Sequence, residues 1–269
     1  MTPSPIRLGI HSFLNAMPLV WPLIKGQMEH PFEVIFDVPA RLADRLAAGE
    51  LDVAMVPSVE VARHPDWRLV PGSAIASNGA VGTVLVVSDR PLKEVHRLAV
   101  DAKSRTSIVM IDILFQKRFG HRPELVPMED DLEAMLASCE AAMVIGNTAF
   151  AAARLEGEGY RVEDLGRQWY ALAHMPFVHA VYAVRGGVDL GPAAALLAQA
   201  KEGGLAQLEA IAESEGPSLG LSPDEALTYL REKIIYDFGP REVAGLETFL
   251  AIGRELGLLE GPVELRWYE

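Results

Sequence analysis

Three short polar segments of this 269-residue chain have residue types that could hold or transform a small anion. The most informative is Ser104-Arg105-Thr106-Ser107, which opens a helical pattern running from Thr106 to Phe119. A helix N-terminus presents unpaired N–H groups and a partial positive charge. Three hydroxyls and a guanidinium added there make an anion site, and Arg105 can grip a carboxylate with two parallel bonds. The competing reading is plain capping, with Ser104 closing the helix and Arg105 in solvent. In Ser12-Phe13-Leu14-Asn15-Ala16-Met17-Pro18-Leu19, Asn15 either offers its amide to a ligand or closes an Asx-turn before Pro18. In Ser77-Asn78-Gly79-Ala80-Val81-Gly82-Thr83, the Thr83 hydroxyl either faces a ligand or belongs to a β-branched strand.

Other chemistries find little support. The seven histidines show no metal-binding grammar: His174 and His179 are five apart, with no carboxylate at ligand spacing. Either could act as a general base by identity alone, and either could be an ordinary core or surface residue. Glu60 reads as a catalytic carboxylate or as a first-turn helix acid. Neither a phosphate-cradling P-loop nor a G-x-S-x-G or G-x-G-x-x-G turn occurs. The single cysteine, Cys139, lies in an apolar-periodic stretch and cannot form an intramolecular disulfide or a zinc site alone.

The elements that must position these groups alternate along the chain. Ile6–Ile10, 33–38, 52–56, 81–87, 97–100, 125–127, 142–145 and 178–184 read as strands, several of them continuously apolar as buried strands are. Between them, 41–48, 106–119, 131–138 and 148–156 carry helical spacing, with Ile108, Ile111, Phe115 and Phe119 on one face. After Val184 the strands stop. Ser222-Pro223-Asp224-Glu225 is a helix start with a capping box, and Leu246, Phe249, Leu250, Ile252 and Leu256 mark another amphipathic helix. The pattern is α/β with a helical tail, and each of the three polar segments adjoins a strand, where ligands of open α/β sheets bind.

Composition agrees with a globular chain large enough for about two domains: 50% hydrophobic and 23% charged residues. Twenty-four basic against thirty-seven acidic residues give a net charge of −13, a field that repels nucleic acid. An anionic ligand would therefore need a local cluster of donors. With neither a leader peptide nor an apolar run of about 18 residues legible, the expected location is the cytoplasm and no membrane partner is expected.

Taken in order, the segments carry more than any one of them alone. F-L-N-x-x-P-L at 13–19, V-P-S-x-E at 56–60, the 78–84 segment, S-R-T-S at 104–107, Ile145-Gly146, D-L-G-x-x-W at 164–169 and P-F-V at 176–178 resemble the menaquinone-biosynthesis chorismate dehydratases of the futalosine pathway. The resemblance covers about residues 6–185 and the tail. It implies a two-lobed fold of the type II periplasmic-binding-protein kind, with a ligand cleft between the lobes. Lobe I would comprise 1–88 and 185–269, lobe II 92–180, with hinges near 88–92 and 180–186. The implied reaction is cofactor-free and metal-free dehydration of chorismate to 3-[(1-carboxyvinyl)oxy]benzoate. Asn15 and Thr83 would be catalytic, and Ser58, Gly79, Ser104, Arg105, Thr106, Ser107, Gly146 and Asn147 would bind substrate. The substrate's own enolpyruvyl carboxylate is a candidate base. The family commonly has Ser at the position of Thr83 and Asp at that of Asn147. Two other functions fit the fold. A solute-binding protein for a small carboxylate is one. The sister 1,4-dihydroxy-6-naphthoate synthase is the other, although the acidic residues expected after His11-Ser12 are absent.

Overall fold

The computed structural model describes residues 4–261 and 264–269. The chain begins with β1 (Ile6–Ile10), α1 (Met17–Ile24), β2 (Phe32–Phe36), α2 (Pro39–Ala47), β3 (Val53–Pro57), α3 (Glu60–Arg63) and β4 (Arg68–Ser77). It continues through β5 (Val84–Ser88), β6 (Arg97–Asp101), α4 (Thr106–Phe119), β7 (Glu124–Met128), α5 (Leu132–Ser138), β8 (Ala141–Ile145), α6 (Thr148–Ala152), β9 (Arg161–Asp164) and α7 (Leu165–Ala173). After β10 (Phe177–Val184) come the tail helices α8 (Ala193–Leu205), α9 (Leu208–Glu215), α10 (Pro223–Thr228) and α11 (Pro240–Glu255).

Two five-stranded sheets result, in the orders β2-β1-β3-β10-β4 and β7-β6-β8-β5-β9. In the first, β1 runs parallel to β2 and β3, while β10 is antiparallel to β3 and β4. In the second, β6 is parallel to β7 and β8, while β5 is antiparallel to β8 and β9. This is the two-lobed α/β architecture expected from the alternating pattern.

The strand pairing moves the crossings between lobes. Val84–Ser88, expected within 1–88 of lobe I, pairs with β8 and β9 in the second sheet. Phe177–Val184, expected mostly within lobe II, pairs with β3 and β4 in the first. The chain therefore crosses at 78–83 and 174–176, not near 88–92 and 180–186. The two crossings lie side by side, since Ser77 pairs with Phe177.

Local chemistry accounts for the elements. β3 and β5 are buried along their whole length, and their runs are apolar up to Ser88 at the end of β5. Helix α4 stops at Gly120 in the left-handed region, after Lys117 and Arg118 in its last turn. Ser222 and Glu225 close the expected capping box on α10. β4 carries Pro71-Gly72 in its interior, and the register against β10 slips there, as an edge strand permits.

The tail ties the lobes together. Trp169 of α7, Phe177 of β10 and Phe249 of α11 pack edge to face with centroids 5.0–5.8 Å apart, directly beside the 174–176 crossing. The Lys117 ammonium of α4 reaches Glu255 of α11 at 2.7 Å, and Arg154 after α6 donates to the Gly220 carbonyl at 2.6 Å. No helix among the described residues is long and apolar enough to cross a membrane.

Candidate functional site

A cavity of about 560 Å³, open mouth included, lies where the carboxyl ends of β1, β3, β6 and β8 meet the 78–83 crossing. Strand ends are where α/β sheets place small ligands. Of the site residues expected from sequence, Asn15, Thr83, Ser104, Arg105, Thr106, Ser107 and Gly146 line it together.

Asn15 arrives on a tight turn, Leu14–Ala16, that follows β1 directly. Its side chain forms no Asx-turn: it is buried, and Oδ1 has no hydrogen-bond partner in the protein. An unpartnered buried carbonyl is costly, so its presence on a cavity wall points toward a ligand donor. Gly146 follows β8 with φ +66, and a Cβ there would stand 2.7 Å from the Phe13 ring. Phe13, another lining residue, can lie on this backbone only because Gly146 has no side chain.

The Ser104–Ser107 turn departs from the capping alternative. Arg105, not Ser104, is the N-cap of α4, and no side chain there caps the helix. Ser104, Thr106 and Ser107 are buried on the cavity wall beside the free helix end. Arg105 is not in solvent and not free. Nη2 lies 2.6 Å from Asp44, and Nη1 lies 3.2 Å from Glu60, both on the first lobe. Burial alone would weaken its charge, but the bond to Asp44 and the field of Glu60 outweigh it and raise its pKa. Its role is thus shared between the cavity and a bridge across the cleft. Glu60 is 1% exposed and also pairs with Arg63 at 2.7 Å, which makes it a paired structural carboxylate. Two further bonds cross the cleft: the Val59 N–H to Thr106 Oγ1 at 3.3 Å, and the Leu14 N–H to Asn147 Oδ1 at 3.2 Å.

Thr83 sits at the end of the crossing, immediately before β5, and the segment is pinned from both sides. The Asp164 carboxylate accepts the N–H groups of Val81 at 3.1 Å and Gly82 at 2.7 Å, and caps α7 through the Arg167 N–H at 3.0 Å. The Thr83 carbonyl accepts the Gly146 N–H at 2.9 Å. Its hydroxyl meets the Tyr229 hydroxyl at 2.9 Å, so Thr83 is more than a β-branched strand residue. Tyr229 begins a single π-helical turn after α10, and burial raises its pKa far above the ordinary phenol value despite the bond with Thr83.

Two histidines line the cavity floor, His11 after β1 and His179 on β10. Burial lowers both imidazoles to about 4, so they are neutral at pH 7. His179 Nε2 is 3.0 Å from Ser77 Oγ, whereas His11 Nδ1 is buried without a partner. His174, in contrast, is absent from the cavity lining. It ends α7 in the left-handed conformation, φ 55°, at the start of a crossing.

Three expected binding residues do not line the cavity. Ser58 is fully buried and its hydroxyl donates to the Val178 carbonyl at 2.6 Å, a bond between β3's end and β10. Gly79 shapes the crossing, with φ +105, and Asn147 spends its amide oxygen on the cleft-bridging bond to Leu14. Conversely, His11, Lys103 and His179 line the cavity without having been singled out as binding residues. Lys103 pairs with Glu129 at 3.4 Å. Only its position next to Ser104 could have marked it. Among the described residues, no three His, Cys, Asp or Glu side chains are placed to hold a metal ion.

Comparison with known proteins adds family information to this geometry. A family model described as "Menaquinone biosynthesis" matches residues 6–255. The chorismate dehydratase of Thermus thermophilus is 31% identical over 239 residues, covering 81% of this chain and 84% of that protein. A crystal structure of a protein from Archaeoglobus fulgidus superposes with a TM-score of 0.80 at 17% identity, covering 96% of this chain and all of that one. The alkanesulfonate-binding protein of Xanthomonas axonopodis pv. citri gives 0.69 at 12% identity, covering 97% and 96%. At such identities the structural likeness speaks for the fold, which is that of periplasmic binding proteins.

Proposed function

The chain belongs to the menaquinone-biosynthesis family, and from that premise we propose that it is a chorismate dehydratase, a cytoplasmic lyase that forms 3-[(1-carboxyvinyl)oxy]benzoate. One observation carries the reading: Asn15 and Thr83 line the same cavity as the Ser104–Ser107 turn. Chorismate has two carboxylates. The free N-terminus of α4, with three hydroxyls and a partly committed Arg105, receives one of them.

The reaction removes the proton from the ether-bearing ring carbon and the hydroxyl from its neighbour. Together they leave as water, and the ring becomes aromatic. Aromatisation supplies the driving force, so the protein has to orient the substrate and stabilise charge as it moves. Thr83 and Asn15 offer the hydroxyl and amide that do so, held at fixed positions by the Asp164 anchor and the Leu14–Ala16 turn. The two cavity histidines are neutral but weakly basic, at about 4, no better as proton acceptors than a carboxylate. That supports the substrate's enolpyruvyl carboxylate as the base.

The test is incubation of the purified, metal-stripped protein with chorismate, following the aromatic enol ether by chromatography and mass. Product formed in proportion to enzyme is expected. Chorismate left intact while the melting temperature rises would replace the reading with a carboxylate-binding protein on the same fold. Neither turnover nor a shift would refute the ligand.

A further inference from the structure

Resting on the dehydratase reading, we infer that Tyr229 is a positioning residue for the reaction: its phenol donates to Thr83 Oγ1 and so turns the Thr83 proton into the cavity. The 2.9 Å separation makes this one hydrogen bond, in which either hydroxyl could be the donor from distance alone. Chemistry breaks the tie. A phenol is a far stronger acid than an aliphatic alcohol and therefore the better donor. Among the described residues no other acceptor is recorded for the Tyr229 hydroxyl, which lies in a residue only 6% exposed. If it did not donate to Thr83, its proton would be buried unpaired, at a cost.

The surroundings fix the ring. Phe150 of α6 meets it edge to face at 5.0 Å. Tyr229 is also the first residue of a π-helical turn, an arrangement that recurs at functional sites. It does not line the cavity itself, so it acts through Thr83 and not on substrate. The tail thereby supplies a group to a site otherwise built by the two sheets. Tyr229 and Thr83 form one hydrogen-bonded pair whose Thr83 end lies on the cavity wall.

A double-mutant cycle tests this. Tyr229→Phe keeps the ring and its packing. It should lower kcat about two- to twelvefold, the equivalent of one lost hydrogen bond, with KM changed less than about twofold. In a Thr83→Val background, the same change should alter kcat less than about twofold, because the bond it removes no longer exists. Where Thr83→Val leaves no measurable turnover, the Kd for intact chorismate replaces kcat, and Tyr229→Phe should leave it unchanged. A merely structural Tyr229 would cost the same in both backgrounds, and that outcome overturns the inference. So does a Tyr229→Phe variant with the parent's kcat. Failure of the parent chain to turn over chorismate would instead remove the reading on which the inference rests, and the inference with it.

Discussion

Gly166, on the first turn of α7, is the point at which the second lobe's helix touches the crossing that carries Thr83. A Cβ at this position would stand 2.5 Å from the Gly79 carbonyl oxygen and 3.2 Å from Ser77 Oγ and Asp164 Oδ1. An ordinary carbon–oxygen contact is about 3.3 Å, so Gly166→Ala forces roughly 0.8 Å of displacement onto backbone, not onto a pliable side chain. The loop cannot simply swing away, because Val81 and Gly82 are tethered to Asp164, one of the groups being crowded. Overpacking of this kind costs about 1–3 kcal/mol, or roughly 3–10 °C in Tm for a chain of this size. Misplacement of a reacting group by nearly 1 Å costs on the order of 10–100-fold in kcat. Calorimetry and steady-state turnover of chorismate, measured well below Tm, read the two effects separately. A variant with kcat within twofold of the parent and an unshifted Tm would refute the reasoning, since the crossing would then absorb the clash without moving Thr83.

Three other perturbations address the rest of the site. Asn15→Ala and Thr83→Ala should depress kcat by about 10²-fold with little change in KM, whereas Thr83→Ser should stay within about threefold; steady-state kinetics decide. Arg105→Ala should raise KM as well as lower kcat, while Asp44→Asn, which removes a partner 63% exposed, should change KM less than about threefold and less still in high salt. His11 and His179 are held near 4 when folded and titrate near 6.5 when unfolded, so between those values the unfolded chain binds more protons. Stability contributed by the two neutral imidazoles is therefore complete above about pH 6.5 and is lost as the pH falls toward 4. Melting curves of the parent and of His179→Gln across this range should show a shallower pH dependence for the variant.

The strand ends and the S-R-T-S helix start were legible because they depend on neighbours in sequence. Apolar runs, turn residues and the 3.6-residue period announce them. What was not legible depends on pairing at a distance. Val84–Ser88 looks the same whichever sheet it joins, and its partners β8 and β9 lie more than 50 residues further on. Helix α1 escaped notice because Met17–Leu23 is buried all round, which removes the amphipathic stripe. β4 was hidden by Pro71-Gly72 and β9 by its four-residue length. In the site, Arg105 was correctly placed but its partners Asp44 and Glu60, 61 and 45 residues away, carry no sequence mark of the encounter. The D-L-G-x-x-W and P-F-V motifs read as separate signatures. In space they serve the same crossings: Asp164 holds the loop before Thr83, and Trp169 packs on Phe177.

The bonds that bridge the cleft also set a speed limit. Arg105 to Asp44 and Glu60, Val59 to Thr106, and Leu14 to Asn147 join the lobes directly. At about 0.5–1.5 kcal/mol for each of these four contacts, an admitting conformation makes up on the order of one molecule in 10¹–10⁴. Every encounter with substrate is discounted by that fraction, so capture is gated well below the diffusional ceiling however well the chemistry proceeds. A gate of this kind suits a molecule that must keep solvent away from a bound reactant more than one that must load and discharge its cargo quickly.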